Sequence, residues 1–321
     1  MSFSSETKKE LAQMIPEKKC CIMSEIAGYS RLNGSIRLLG GGHVNVVLTF
    51  DSPAVARVLK RLISAYFRTG TSIRVVQGSA FGRVKKYMLT FDDPEAGERM
   101  LLDAGMVSVE NGHLSLKDAI DRDIIKKKCC RKAYLRGLFL AGGSVSHPEK
   151  GYHLEIVSES DVIANDIKKL MNTFSLNAKV TGRKGSFVTY IKESEHIVDF
   201  MNITGAHSQL LEFENVRILK QMRNEANRIV NCENANVDKS VDAAARQLEN
   251  IRFIQKTVGL NKLPDKLRDA AELRLNNPEL PLRELAMLSD DKVSKSGMNH
   301  RLKKIDDIAE RLRNGSTAGL L

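Results

Sequence analysis

From His43 to Phe50 apolar and polar side chains alternate, Val44, Val46 and Leu48 against His43, Asn45 and Thr49, the period of a strand with one buried face. A short strand at Ile36–Leu39 and a Gly40-Gly41-Gly42 turn precede it. A helix is predicted over Ser52–Phe67 behind Asp51, then strands at Ser72–Gln77 and Val84–Phe91, then a helix at Pro94–Leu102. The same order returns further on. Val145 and a turn at His147–Gly151 lead into a strand at Tyr152–Val157. A helix at Val162–Phe174, strands at Ala178–Thr181 and Phe187–Ile191 around a Gly182–Gly185 turn, and a helix at Glu195–Ile203 follow. Beyond Gln209 glycine becomes rare, leucine frequent, and the apolar spacing helical.

The two runs are copies of one unit. Lys18-Lys19-Cys20-Cys21 returns as Lys127-Lys128-Cys129-Cys130, a shift of 109 that also carries Gly28 onto Gly137, Gly34 onto Gly143 and Ser35 onto Ser144. Each unit opens on a helix, and residues 104–126 join the copies. In the second, Leu135-Arg136-Gly137-Leu138-Phe139-Leu140-Ala141-Gly142-Gly143 resembles the LAGLIDADG motif of homing endonucleases; Ile26–Gly34 is a weaker copy. The resemblance implies two motif helices side by side at a pseudo-twofold axis, with Gly28, Gly137 and Ala141 admitting close approach. It also implies that the strands form a saddle. The expected architecture is α+β: an extension over 1–19, a duplicated αββαββα domain over 20–205 (repeats 20–103 and 127–205), and an all-α domain over 206–321.

Homing endonucleases hold a divalent metal with one acid per motif helix. Asn33 and Gly142 stand at those places here. Neither supplies the anionic oxygen that a hard cation needs for phosphodiester hydrolysis. No catalytic residue, metal or cofactor is therefore expected, and the chain is read as a non-enzyme. Glu155 and Glu159, on or past a strand, read as sheet-surface charge.

The formal net charge is +11 and the pI near 9.4, a balance that suits a polyanion. Arg37, Arg74, Arg83, Lys85, Lys86, Lys179, Arg183 and Lys184 lie on or beside the strands and could meet phosphates. A solvated sheet face would carry the same charges, and both readings stay open.

In the last third, Asn224, Asn227, Asn231 and Asn234 form one helical stripe, with Arg228 beside it. Asparagine can read adenine edges. A helix packed on its neighbour through amide bonds has the same pattern, and that reading is preferred. A helix at Pro264–Asn276 is followed by a short one at Leu282–Leu288, a polar turn at Ser289–Val293, and Ser294 as N-cap of a helix at Lys295–Ile308. This is a helix-turn-helix pattern over about 281–305. Val293, Met298, Leu302 and Ile305 would face inward. Ser294, Lys295, Ser296, Asn299, His300, Arg301 and Lys303 are the candidate DNA contacts. The twin motif repeats, Asn227–Asn236 and Val293–Leu302 together resemble the WhiA family. That resemblance implies a bacterial DNA-binding regulator tied to sporulation, cell division and chromosome segregation.

No apolar stretch approaches the roughly 18 residues of a membrane span, and the start has no secretory core. Cys20, Cys21, Cys129, Cys130 and Cys232 show no disulfide framework, which fits a reducing cytoplasm and, for a DNA binder, the nucleoid. Cys20-Cys21 and Cys129-Cys130 would lie near each other if the motif helices pair, but adjacent cysteines are not a zinc-ligand spacing, so they read as small apolar residues. The expected partner is double-stranded DNA, with protein partners in transcription, no membrane and no small-molecule ligand. A protein-gripping scaffold and an active metal-dependent endonuclease are the alternative readings.

Overall fold

Lys19 and Asn33 at the ends of one fifteen-residue helix map onto Lys128 and Gly142 at the ends of another, so the shift of 109 in sequence is also a shift in structure. The computed structural model describes residues 2–40, 43–77, 85–110 and 113–315. After α1 (Phe3–Leu11), the first copy runs α2 (Lys19–Asn33), β1 (Gly34–Gly40), β2 (His43–Phe50), α3 (Pro53–Phe67), β3 (Thr71–Gln77), β4 (Lys85–Phe91) and α4 (Pro94–Asp103). A hairpin, β5 (Val107–Glu110) and β6 (His113–Leu116), separates the copies. The second runs α5 (Lys128–Gly142), β7 (Gly143–Val145), β8 (Leu154–Ser158), α6 (Asp161–Asn172), β9 (Lys179–Arg183), β10 (Ser186–Ile191) and α7 (Ser194–Thr204). The chain continues through α8 (His207–Thr257), α9 (Asp265–Asn276), α10 (Leu282–Met287) and α11 (Lys295–Arg313). Gly41, Gly42, Arg83 and Val84, named above as turn, charge and strand positions, lie outside the described residues.

Each copy builds one antiparallel sheet with the same strand order, β1-β2-β4-β3 and β7-β8-β10-β9. Val44, Val46 and Leu48 point into the core, as their alternation requires. Between the sheets' helices, α2 and α5 pack so closely that neither crossing glycine tolerates a side chain. A Cβ on Gly28 would collide with the carbonyl oxygen of Tyr134, and one on Gly137 with that of Glu25, while also lying 2.8 Å from the amide nitrogen of Tyr29.

The joint between copies is more ordered than its composition suggests. Val107 and Val109 alternate with polar residues in β5, too short a run to register as a strand on its own. The N-terminal stretch is likewise structural. Ser2 caps α1 by accepting from the Ser5 amide, and Phe3, Leu11 and Ala12 enter the main core. The Glu10 carboxylate accepts from the Ser208 and Gln209 amides at 2.7 and 2.9 Å, satisfying the first turn of α8.

Packing divides the chain into two units, 1–221 and 222–321, with the division inside α8. Composition changes earlier, at about 206, because it registers where a long helix starts. The first turns of that helix still bury Phe213 in the core of the first unit. The second unit has its own core, Ile251, Ile254, Leu267, Ala270, Leu285, Met298, Leu302 and Ile305 among its members. Arg274, almost wholly buried, ties α9 to the following loop by donating to the Leu280 carbonyl at 2.7 Å.

Candidate nucleic-acid interface

At the feet of the two motif helices stand Asn33 and Gly142, neither of them a carboxylate. Asn33 ends α2, and its amide donates to the Tyr29 hydroxyl at 3.3 Å and across the helix pair to the Ala141 carbonyl at 3.4 Å. At Gly142 even a Cβ would stand 2.8 Å from the Val157 carbonyl oxygen and 3.0 Å from Leu32 Cδ1. No carboxylate could be housed there without moving the strand. Glu155 is occupied elsewhere: it accepts from Ser144 at 3.3 Å, meets His153 at 3.1 Å and pairs with Arg183 at 3.7 Å.

Strand register sorts the basic residues. In the first sheet, Arg37 lies opposite Asn45, Arg74 opposite Met88, and Lys86 opposite Val76, all on the parity turned away from the core residues Val46, Leu48 and Leu89. In the second, Lys179 opposite Tyr190 and Arg183 opposite Ser186 share the corresponding face. These five are exposed. Lys85 has the opposite parity and is exposed because it starts its strand; Lys184 sits in the hairpin turn with φ 47°. Asn45 and Thr49 share the outward parity and are half-buried, each tied to the backbone. Asn45 donates to the Phe91 carbonyl at 3.4 Å, and Thr49 donates to the Asn33 carbonyl at 3.4 Å.

In the helical unit, Ser294 caps α11 by accepting from the Gly297 amide at 3.2 Å. Met298, Leu302 and Ile305 are fully buried, so the 3.6-residue period leaves Lys295, Ser296, Asn299, His300 and Lys303 exposed on the other side. Asn299 and Lys303 also border an open groove of about 810 Å³, shared with Arg246 and Asn250 of α8. Arg301 differs from its neighbours. It is held by Asp291 at 3.0 Å and lies 3.6 Å from Asp269, with its side chain only 13% exposed, so its charge braces the turn. Ser289 donates to Asp269 at 2.9 Å from the same turn. Sequence spacing could not separate Arg301 from Lys303, because the acids that engage it come from α9 and the turn. Asn224, Asn227, Arg228 and Asn231 lie on α8 and are exposed.

The four clustered cysteines come together as the pairing of the motif helices implies. The paired helices bring Cys20, Cys21, Cys129 and Cys130 together at their N-terminal ends. Burial pushes the Cys21 thiol up to about 12, while contact with Cys21 lowers that of Cys129. Their reading as small apolar residues does not account for four thiols meeting at one place.

Family models match over nearly the whole chain: a WhiA N-terminal LAGLIDADG-like domain at residues 19–107, a WhiA LAGLIDADG-like domain at 131–223, and a WhiA C-terminal HTH domain at 226–309. Among curated relatives, a probable cell division protein WhiA of Alkaliphilus metalliredigens is 42% identical over 316 residues, covering 98% of this chain and 100% of that one. Its namesake from Clostridium beijerinckii is 45% identical over 313 residues, covering 98% and 99%. The crystal structure of full-length DUF199/WhiA from Thermatoga maritima matches with a TM-score of 0.60 at 27% identity, covering 97% of this chain and 99% of that one. No helix among the described residues is long and apolar enough to cross a membrane.

Proposed function

The chain belongs to the WhiA family, and from that premise we propose that it is a sequence-specific DNA-binding regulator of transcription without nuclease activity. The observation that carries the reading is α11. A capped helix seated on a closed core turns Lys295, Ser296, Asn299, His300 and Lys303 outward near its N-terminal end, the part of a recognition helix that meets base edges in the major groove. The outward face of the duplicated domain, with Arg37, Arg74, Lys86, Lys179 and Arg183, adds phosphate contacts that carry no sequence information. The relatives are named probable cell division proteins, which supports a role in that process. Sporulation and chromosome segregation are the finer roles proposed with it, in the cytoplasm at the nucleoid, with protein partners in transcription and no small-molecule ligand.

The test is a titration of specific and random duplexes at several salt concentrations. Asn299→Ala is expected to cost about 1–3 kcal/mol on the specific site and to relax one of its positions. Lys86→Ala is expected to weaken both duplexes alike and to reduce the salt slope by about 0.9. If Asn299→Ala left the specific-to-random ratio intact while Lys86→Ala collapsed it, base reading would belong to the duplicated domain. Failure of residues 1–221 and the full chain alike to bind DNA would favour a protein-gripping scaffold.

Absence of cleavage is a separate expectation, supported by Asn33 and by the closed space at Gly142. Supercoiled plasmid should remain intact with Mg²⁺ or Mn²⁺. Nicking that follows the protein through purification and stops on chelation is the result that would overturn it.

A further inference from the structure

The Sγ atoms of Cys20, Cys21, Cys129 and Cys130 all lie within 4.8 Å of one another, and we propose that they form a structural tetrathiolate site for one zinc ion, joining the starts of α2 and α5. A zinc–sulfur distance of about 2.3 Å in a tetrahedron sets the sulfurs about 3.8 Å apart, so closure needs a contraction of about 1 Å at most. Four thiols so placed suit a single soft-ligand metal. An iron–sulfur cluster would push them further apart, because inorganic sulfide and several irons must lie between them.

The arrangement follows from the duplication. Cys20 and Cys21 occupy the first turn of α2, and Cys129 and Cys130 the equivalent positions of α5. Each helix alone offers two adjacent cysteines, which cannot chelate one ion well. The close approach at Gly28 and Gly137 brings the two pairs face to face across the pseudo-twofold axis. Cys21 then contacts Cys129 and Cys20 contacts Cys130, each pair crossing between helices. Ala133 and the four thiols form a small cluster separate from the main core.

The electrostatics suit an anionic centre. Zinc with four thiolates carries two net negative charges, and its formation releases four thiol protons. Both helices point their positive N-terminal ends at the cluster, neither has a side-chain cap, and neither has an acid in its first turn. Lys18, Lys19, Lys127 and Lys128 flank it. With four protein ligands no coordination position is left for water or substrate, so the ion braces the fold. The site also lies at the opposite end of fifteen-residue helices from Asn33 and Gly142, about 20 Å along the axis, and does not replace the lost catalytic metal.

The experiment uses the full chain, free of any histidine tag and purified anaerobically in reductant. Elemental analysis should find about one zinc per chain, in the parent and in Cys232→Ser, whose cysteine is exposed and outside the cluster. Replacement by Co²⁺ alone should give the sulfur-to-cobalt charge-transfer and ligand-field bands of a tetrahedral tetrathiolate. An organomercurial should release the zinc as the four clustered thiols react. Cys20→Ser/Cys129→Ser should lose the bound equivalent, with circular dichroism reporting whether it remains folded. The parent decides the matter even if that variant does not fold. A folded parent that binds neither zinc nor cobalt in stoichiometric amount would overturn the proposal. So would iron with acid-labile sulfide, or cross-helix disulfides found by mass under these reducing conditions.

Discussion

Arg136→Met is expected to destabilise the first unit by about 3–5 kcal/mol, the cost of leaving a buried charge without its partner. Arg136 of α5 donates through Nη2 and Nε to Glu25 Oε2 of α2 at 2.7 and 2.9 Å, and through Nη1 to the Thr204 carbonyl at 3.0 Å. The Glu25 side chain has no exposed surface, and its Oε1 atom has no hydrogen-bond partner. Burial pushes its carboxyl above the usual carboxylate range, against the opposing pull of Arg136. Without that guanidinium the carboxylate must take up a proton or be exposed by unfolding. Because the folded value is raised, the deficit should be smallest below about pH 4.3, the ordinary glutamate value, and grow as pH rises through the folded value. Urea titrations of Arg136→Met, Glu25→Leu and Glu25→Leu/Arg136→Met measure the coupling. The double variant should recover much of the loss, since an apolar pair removes both charges together. A single Arg136→Met within about 1 kcal/mol of the parent would show that the pair is not an uncompensated-charge problem.

The second large effect is steric. Gly137→Ala adds one methyl group where the Glu25 carbonyl oxygen already stands, with the Tyr29 amide nitrogen 2.8 Å away. Both obstacles are backbone, so neither can rotate aside, and relief requires the helix axes to separate. Separation would open the contact that organises both copies. The expected loss is about 3 kcal/mol or more, the upper end for overpacking. Gly182→Ala is the control, because nothing lies within 4 Å of the added Cβ. It should stay within about 0.5 kcal/mol. Equal melting temperatures for the two variants would mean that the helix pair accommodates the methyl and that the close approach is not required.

Much of this architecture was legible before any coordinates. The shift of 109 survives in the chain because a duplicated unit must repeat its turns and helix starts, and those are set by neighbouring residues. The exposed face of α11 was legible for the same reason. Ser294 announces a helix start, and the period of Met298, Leu302 and Ile305 assigns the opposite side to Lys295, Ser296, Asn299, His300 and Lys303. Asn33 and Gly142 told of missing acids by identity alone.

Other features depend on which elements meet. Arg136 and Glu25 are single charges on otherwise apolar helices, and only the α2–α5 crossing makes them a pair. Arg301 looked like its neighbours until Asp269 of α9 and Asp291 of the turn came within reach of it. Strand parity around β3 and β4 put Lys86 with Arg74 on the outward face and Lys85 on the other. The sequence places the two cysteine pairs near each other only if the motif helices pair, and adjacent thiols on one helix carry no ligand spacing that would mark them as a site. Residues 109 positions apart become neighbours only through the distance between helix axes, and that distance is set jointly by Gly28 and Gly137, with no trace in local periodicity.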